Sequence, residues 1–143
     1  MIDLKRQAEL QTAIESLYFA YRGFTDRPDR VLERRGLGRV HHRILYFIGR
    51  RPDVSVKGLL DLLAVSKQAL NAPLRQLLEM GLVAAVAGAE DRRVKNLRLT
   101  LEGQRLEAEL TGAQMKHLQT AFDHAGPAAE QGWRDVMAAL VEG

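Results

Sequence analysis

The 143-residue chain suits one domain, its 46% of hydrophobic residues are ample for a core, and its lack of cysteine excludes disulfides, thiolate zinc sites and cysteine-based redox sensing. The net charge of +3 is uneven, because residues 34–98 hold 13 basic and 5 acidic side chains whereas the two ends together hold 8 basic and 13 acidic ones. A basic middle segment is typical of nucleic-acid binding, and a solvated basic face without a partner is the alternative.

The start of the chain has no targeting signal that can be read from its residues. The segment MIDLKR lacks the apolar core of a secretory signal, and no apolar run approaches the roughly 18 residues of a membrane span. The sequence therefore predicts a cytoplasmic protein without a membrane partner.

Two helices are predicted before residue 36. A first helix over residues 3–23 is indicated by apolar residues at three-to-four spacing, namely Leu4, Leu10, Ile14, Leu17 and Tyr21. Gly23 is expected to end it. The segment 25–28 then has the composition of a helix cap with Pro28 at the first position, so a second, short helix is predicted over 29–35.

The middle of the chain has the element order of a winged helix-turn-helix. Ser55 and Ser66 each have the hydroxyl of a good N-cap, and Gly81 ends the second helix of the pair. The predicted elements are, in order, a helix over 39–50, two helices over 56–63 and 67–80, and two strands over 82–87 and 94–100. Helix, turn, helix and a two-stranded wing is the arrangement of this DNA-binding motif.

The second helix of the pair is predicted to read the major groove. Its leucines share one face, and its polar face presents Lys67, Gln68, Asn71 and Arg75. Asn and Gln can pair bidentately with adenine, Arg or Lys can pair with guanine, and Ser66 can hold a phosphate at the helix N-terminus. A plain solvent-exposed face is the alternative. Pro73 predicts either a kink or an irregular first turn, because it lacks an N–H.

The tip of the predicted wing carries Asp91, Arg92 and Arg93. Arginine is favoured in a narrow minor groove by the negative potential there, and a neighbouring carboxylate can orient it through a bidentate pair. Lys95 and Arg98 on the returning strand can reach phosphates. The alternative is an ordinary polar hairpin whose charges only keep it soluble.

The two ends of the chain are predicted to mediate self-association. Beyond the wing, a long helix over 101–125 and a last helix reaching about 141 are indicated by Thr100 as N-cap and by the break at Gly126-Pro127. The apolar stripes of the terminal helices have few partners within so small a lobe. A two-fold homodimer would bury them, and an intramolecular bundle in a monomer is the alternative.

The sequence resembles the signature of MarR-type transcription regulators. The matching stretches are GLV at 81–83, DRR at 91–93 and LRLTLEG at 97–103. Residues 37–45 occupy the family's LTxxQxxxL stretch, with Gly38 where Thr is common and His41 where Gln is common. The resemblance covers nearly the whole chain, although Pro73 is unusual in the recognition helix.

This resemblance implies a mostly α-helical fold with a small β-wing, formed by one domain over 1–143. Residues 36–100 would be the winged helix-turn-helix DNA-binding lobe, and 1–35 and 101–143 would be mainly dimerisation helices. The function implied is that of a ligand-responsive homodimeric repressor that binds a pseudo-palindromic operator in double-stranded DNA, with Arg93 as the wing arginine and Asp91 as its support. A winged-helix protein-interaction module with only non-specific DNA affinity is the alternative.

A small aromatic or anionic effector is a further implication of the family. The candidate pocket residues are Tyr18, Arg22, His41, His42 and Tyr46. The alternative is core packing of these residues together with phosphate contacts by Arg39 and Arg43. No metal site or cofactor is predicted, because the four histidines lack the i,i+4 spacing that serves zinc best. No enzyme is predicted either, since the chain has no nucleophile-elbow or phosphate-loop motif.

Overall fold

The structure, a computed structural model, describes residues 3–143, so Met1 and Ile2 of the predicted N-terminal dimerisation segment lie outside it. The helices and strands of the described residues are α1 (Leu4–Arg34), α2 (Arg39–Arg50), β1 (Val54–Ser55), α3 (Val56–Leu63), α4 (Lys67–Glu79), β2 (Val83–Ala87), β3 (Lys95–Leu99), α5 (Leu101–Ala125) and α6 (Pro127–Glu142). Over this range no helix combines the length and the hydropathy that crossing a membrane requires.

The N-terminal helix is longer than predicted, because α1 runs unbroken through Gly23 and Pro28. Thr25, expected in a cap, lies inside the helix and donates its hydroxyl to the Tyr21 carbonyl at 2.9 Å. Pro28 removes one helical N–H, but it is buried together with Leu32, so tertiary packing offsets the cost of proline in a helix. The predicted break into two helices was therefore wrong.

The core is a single apolar cluster centred on the helix-turn-helix. Its members come from the end of α1, from α2 to α4, from the sheet and from the first half of α5. They are Leu32, Leu37, Ile44, Leu45, Ile48, Leu59, Leu70, Leu74, Leu77, Leu82, Val83, Leu97, Leu106 and Leu110. Burying each side chain of this size contributes about 1.5–3 kcal/mol, so this cluster holds the lobe together.

The wing belongs to a three-stranded antiparallel sheet with the order β1-β3-β2. The β2–β3 hairpin pairs Val83 with Leu99 at its base and Ala87 with Lys95 near its tip. β1, which the sequence analysis missed, pairs Val54 with Leu97 on the other side of β3. The extra strand attaches the wing to the segment that leads into α3.

The wing is joined to α5 by a tight junction at Thr100 and Gly103. The Thr100 N–H donates to the Leu82 carbonyl at 3.1 Å, and its hydroxyl donates to the Gly81 carbonyl at 2.6 Å. The same hydroxyl caps α5 by accepting from the Gly103 N–H at 3.0 Å. A Cβ at Gly103 would lie 1.9 Å from the Leu82 carbonyl oxygen, so only glycine fits here.

The terminal helices differ from the lobe in having large exposed apolar side chains. No residue of α6 is buried, and the buried residues of α1 lie in its last third. The exposed apolar side chains of the two helices are Leu4, Leu10, Ile14, Leu17, Tyr18, Phe19, Tyr21, Trp133, Val136, Leu140 and Val141. Stripes of this extent on a small chain mark an interaction surface.

Candidate nucleic-acid interface and the adjoining cavity

Helix α4 presents its polar residues away from the core. Ser66 caps it, since the hydroxyl oxygen accepts from the Ala69 N–H at 3.1 Å. Leu70, Leu74 and Leu77 are buried and fix which side of the helix faces inward. The predicted DNA-reading residues are all exposed: Ser66, Lys67, Gln68, Asn71 and Arg75. A row of donors and acceptors therefore projects from the lobe.

Pro73 lies inside α4, which is helical from its first residue to its last. The irregular first turn that this proline suggested is therefore absent, and a kink stays a prediction. The proline removes one helical hydrogen bond midway along the helix, between Gln68 and Asn71 on one side and Arg75 on the other.

The wing tip holds Arg93 in one orientation. Asp91 Oδ1 accepts from the Arg93 backbone N–H at 3.0 Å and from its Nε at 3.2 Å, and Oδ2 accepts from Nη2 at 3.1 Å. The Arg93 side chain is nevertheless 91% exposed. Its hydrogen bonds to Asp91 lower the pKa of that carboxyl. The tip therefore offers an oriented cation to solvent, as a minor-groove contact requires.

The other basic residues of the wing fall into two groups. Arg92 and Lys95 are exposed next to the tip. Arg98, which the sequence predicts to reach phosphates, donates to the carboxylate of Asp53 at the base of the sheet. This pairing raises the pKa of Arg98 and lowers the pKa of Asp53. Arg98 therefore ties the wing to the loop before β1.

A cavity of about 340 Å³ lies between α1, α2 and α5. Two of the five predicted pocket residues, His42 and Tyr46, line it. The remaining lining residues are Tyr21, Phe24, Thr25, Pro28, Asp29, Arg39, Arg43, Phe47, Thr111, Gln114, Met115 and Leu118. The cavity thus combines apolar walls with a few polar groups, as small-molecule sites do.

The polar groups of the cavity differ in their hydrogen-bond and ion-pair partners. Arg39 forms a salt bridge with Asp29 at 2.9 Å, which raises the pKa of that guanidinium. Arg43 donates to the Tyr21 hydroxyl at 3.1 Å, and none of the ion pairs found within residues 3–143 includes it. His42 lies 3.2 Å from the Thr111 hydroxyl, and burial lowers the pKa of its imidazole. Arg43 is therefore the cation here that an anion could neutralise.

Three predicted pocket residues lie outside this cavity. Tyr18 and Arg22 are exposed on α1, where the guanidinium stacks 5.7 Å from the Tyr18 ring centroid. His41 contacts α4 instead, at 2.9 Å from the Gln76 side chain. Arg39 and Arg43, for which the sequence suggested phosphate contacts as the alternative, line the cavity on the same helix face as His42 and Tyr46. Their i, i+3, i+4, i+7 spacing was a signal that could have identified them.

A capped helix pair, an exposed polar helix face and a β-wing with an oriented arginine define a winged helix-turn-helix protein. Residues 35–94 match the sequence model of the MarR family. The chain is also 44% identical over 134 residues to the HTH-type transcriptional regulator PetP of Rhodobacter capsulatus, covering 94% of this chain and 81% of that protein. The chain therefore belongs to the MarR family, and it is a DNA-binding transcription regulator of a non-enzymatic class.

Solved structures of low sequence identity share the fold. NadR in complex with 4-hydroxyphenylacetate superposes with a TM-score of 0.72 at 20% identity, covering 87% of this chain and 89% of NadR. A mutant of S. aureus MepR bound to an oligodeoxyribonucleotide superposes with a TM-score of 0.64 at 16% identity, covering 91% of this chain and 96% of MepR. Both confirm the mostly α-helical winged-helix architecture with its small wing.

Proposed function

We propose that the protein is a homodimeric, effector-responsive repressor that binds a pseudo-palindromic operator. The observation that carries the proposal is that α4 and the wing expose their polar and basic residues, while large apolar side chains of α1 and α6 stay exposed among the described residues. The first surface suits DNA and the second suits a further copy of the chain. Two recognition helices about 34 Å apart would then enter successive turns of one major groove.

The proposed DNA contacts follow from the hydrogen-bonding capacity and the charge of each exposed side chain. Gln68, Asn71 and Arg75 read base edges, with Lys67 beside them and Ser66 on a phosphate. Arg93 enters the minor groove in the orientation that Asp91 holds, whereas Arg92 and Lys95 contact the backbone. The MepR mutant that binds an oligodeoxyribonucleotide has this fold, which supports the assignment.

The dimer is formed by the terminal helices. Ile14 and Leu17 on α1 and Val136 and Leu140 on α6 are each more than half exposed in the single chain. An intramolecular bundle would have buried them, and the described residues offer nothing else that covers them. Two-fold association places the same faces together and buries them reciprocally.

The effector is a small aromatic or anionic molecule bound in the cavity between α1, α2 and α5. Arg43 and the Tyr21 hydroxyl supply one polar end, and Phe24, Met115 and Leu118 supply apolar contacts. NadR, which has the same fold, is solved with 4-hydroxyphenylacetate, a ligand of this chemistry. Binding shifts the population between DNA-competent and DNA-incompetent dimers, and so couples the two sites.

The test begins with a duplex selected from a randomised pool by the unmodified protein. We expect light scattering to give twice the 16.0 kDa mass of one chain, and fluorescence anisotropy to give at least about 1,000-fold tighter binding to the selected duplex than to a random one. If the selected and the random duplex bound with equal affinity, and both affinities were lost over the same range of salt concentration, the result would instead favour the protein-interaction module. A mass of one chain at micromolar concentration would contradict the dimer.

The effector is tested separately by titrating 4-hydroxyphenylacetate and benzoate into the protein–duplex complex. Release of the duplex by either compound, lost in Arg43→Gln, is the expected result. Arg105→Gln serves as a matched control, since it removes an exposed arginine of α5 that neither lines the cavity nor belongs to the proposed DNA surface. Release that is unchanged in Arg43→Gln would show that the cavity assignment is wrong.

A further inference from the structure

His41 links the start of α2 to the recognition helix through a closed set of hydrogen bonds. The Gly38 N–H donates to His41 Nδ1 at 2.9 Å, and His41 Nε2 lies 2.9 Å from Gln76 Oε1. The Gln76 amide in turn donates from Nε2 to the Gly36 carbonyl at 3.3 Å. These bonds join the α1–α2 connection, the first turn of α2 and the C-terminal half of α4.

The donors and acceptors of this set fix one another. Because Nδ1 of His41 accepts from a backbone N–H, it must carry a lone pair, and the ring proton lies on Nε2. Nε2 therefore donates to Gln76 Oε1, which leaves the amide nitrogen of Gln76 free to donate to Gly36. Each polar atom has one compatible role, so the arrangement is directional throughout.

The position of Gln76 on α4 makes this contact relevant to DNA. Gln76 lies between Arg75, which is exposed, and Leu77, which is fully buried. Apolar contacts such as those of Leu77 are non-directional and tolerate small rotations of a helix, whereas a hydrogen bond does not. The bond to His41 therefore adds a directional restraint on the rotation of α4 to the packing of its leucines, at the residue next to Arg75.

Pro73 weakens the hydrogen bonding of α4, so the contact between Gln76 and His41 matters more for holding the helix in place. It removes the helical hydrogen bond that position 73 would donate to the Ala69 carbonyl, in the middle turn of α4 between Gln68 and Arg75. The Ser66 cap holds only the part of α4 before Pro73. The side chain of Gln76 is a polar tertiary contact that anchors the part after it.

We propose that His41 is a positioning residue that, through Gln76, sets the orientation of the recognition helix for specific DNA binding. The proposal rests on the proposed operator recognition. It differs from a purely local role of His41 as the N-terminal cap of α2, which would affect folding but not the discrimination between duplexes.

The experiment measures the affinity of the dimer for the selected duplex and for a random duplex at one salt concentration. His41→Leu and Gln76→Leu should each weaken binding to the selected duplex roughly tenfold, which corresponds to the loss of one or two hydrogen bonds. The double variant should be no weaker than either single variant, because both remove the same connection. Affinity for the random duplex should change less than about twofold.

His41→Gln is the conservative control. Its amide can accept from the Gly38 N–H and donate to Gln76, so affinity and discrimination should return to those of the unmodified protein. If His41→Leu fails to fold, Gln76→Leu and His41→Gln decide the question by the same two affinities.

Three results would overturn the role of His41: unchanged discrimination in Gln76→Leu, equal losses on both duplexes, or losses that multiply to about a hundredfold in the double variant. Failure to enrich any duplex from the pool would instead overturn the operator recognition on which the proposal rests.

Discussion

The lobe and the ends of this chain use similar amphipathic helices for different purposes. Every fully or nearly fully buried hydrophobic residue described lies between Leu32 and Leu110, whereas Leu4 and Val141 are more than four-fifths exposed. In the lobe, neighbouring elements of the same chain cover each apolar stripe. At the ends this cover is partial: Trp133 packs edge-on against Phe122, whereas Ile14 and Val136 stay more than half exposed. A similar amphipathic pattern therefore forms a core in one region and leaves an exposed apolar face in the other.

Charge divides the chain at similar, though not identical, positions. Residues 34–98 carry a net +8 and the remaining residues a net −5. The basic lobe contains α4 and the wing, and the acidic ends contain the faces proposed to pair. This division favours a dimer that approaches DNA with its lobes and keeps its paired ends away from the phosphates.

The largest expected effect comes from charging the terminal faces. Ile14→Asp combined with Val136→Asp should give a monomer by light scattering and weaken binding to the selected duplex at least about 100-fold, because one half-site is then bound without avidity. Leu101→Asp, which charges an exposed leucine at the start of α5, is the matched control and should leave the dimer intact. If the double variant still had the mass of a dimer, the terminal faces would not be the surfaces that associate, and the contrast between the ends and the lobe would be wrong.

Core truncation should be the next largest effect. Leu77 has no exposed surface, so Leu77→Ala should cost about 2–5 kcal/mol of unfolding free energy in urea at any protein concentration. Leu140→Ala, on the exposed face of α6, should destabilise only at concentrations where the dimer is populated. If both losses depended equally on concentration, the lobe would not be the self-contained unit described here.

Within the lobe, two neighbouring arginines of the wing can be compared, one paired with Asp91 and one not. Arg93→Ala should weaken binding to the selected duplex by about 1–2 kcal/mol, or roughly 5- to 30-fold, and reduce the salt slope by about one. Arg92→Ala should cost less, because no carboxylate orients that side chain. Anisotropy titrations at several salt concentrations measure both. An equal cost for the two variants would mean that the pairing with Asp91 contributes nothing to binding.

The smallest expected effect is a pH dependence from His42. Burial lowers its pKa below the ordinary 6.5, so the unfolded chain takes up the proton first as the pH falls. His42 should therefore have no effect on stability above about pH 7, and it should reduce stability as the pH falls below 6.5 toward the lowered folded value. In His42→Gln, the free energy of unfolding measured in urea should vary less between pH 7 and 5.5 than in the unmodified protein. An unchanged pH dependence of this free energy would contradict the effect.

Much of the lobe could be predicted from sequence because its signals are local. The caps at Ser55, Ser66 and Thr100 and the leucine spacing of α3 to α5 placed those helices within a residue or two. β1 could not be predicted, since a strand of 2 residues has no periodicity and exists only through pairing with Leu97. The continuous α1 was missed for a related reason: burial of Pro28 overrides its local tendency to break a helix.

The candidate sites show the same limit. Exposure of the α4 polar face follows from a helical wheel, and the Asp91–Arg93 pair follows from two positions in one turn. The cavity depends on how α1, α2 and α5 pack, so the side chains of Tyr18 and Arg22 could not be placed by spacing alone. His41 was assigned to the wrong partner, because its contact with Gln76 spans 35 residues.

At Gly103, α5 and the segment that leads into the wing are in direct backbone contact, with no space for a side chain between them. Because the backbone of α5 packs directly against the Leu82 carbonyl, the start of the long helix and the base of the hairpin are in close contact. A displacement of the first turn of α5 is therefore expected to shift the base of the hairpin with it. If the chain pairs and binds DNA as proposed, a change in how α5 packs between two copies would alter the position that Arg93 takes on the duplex.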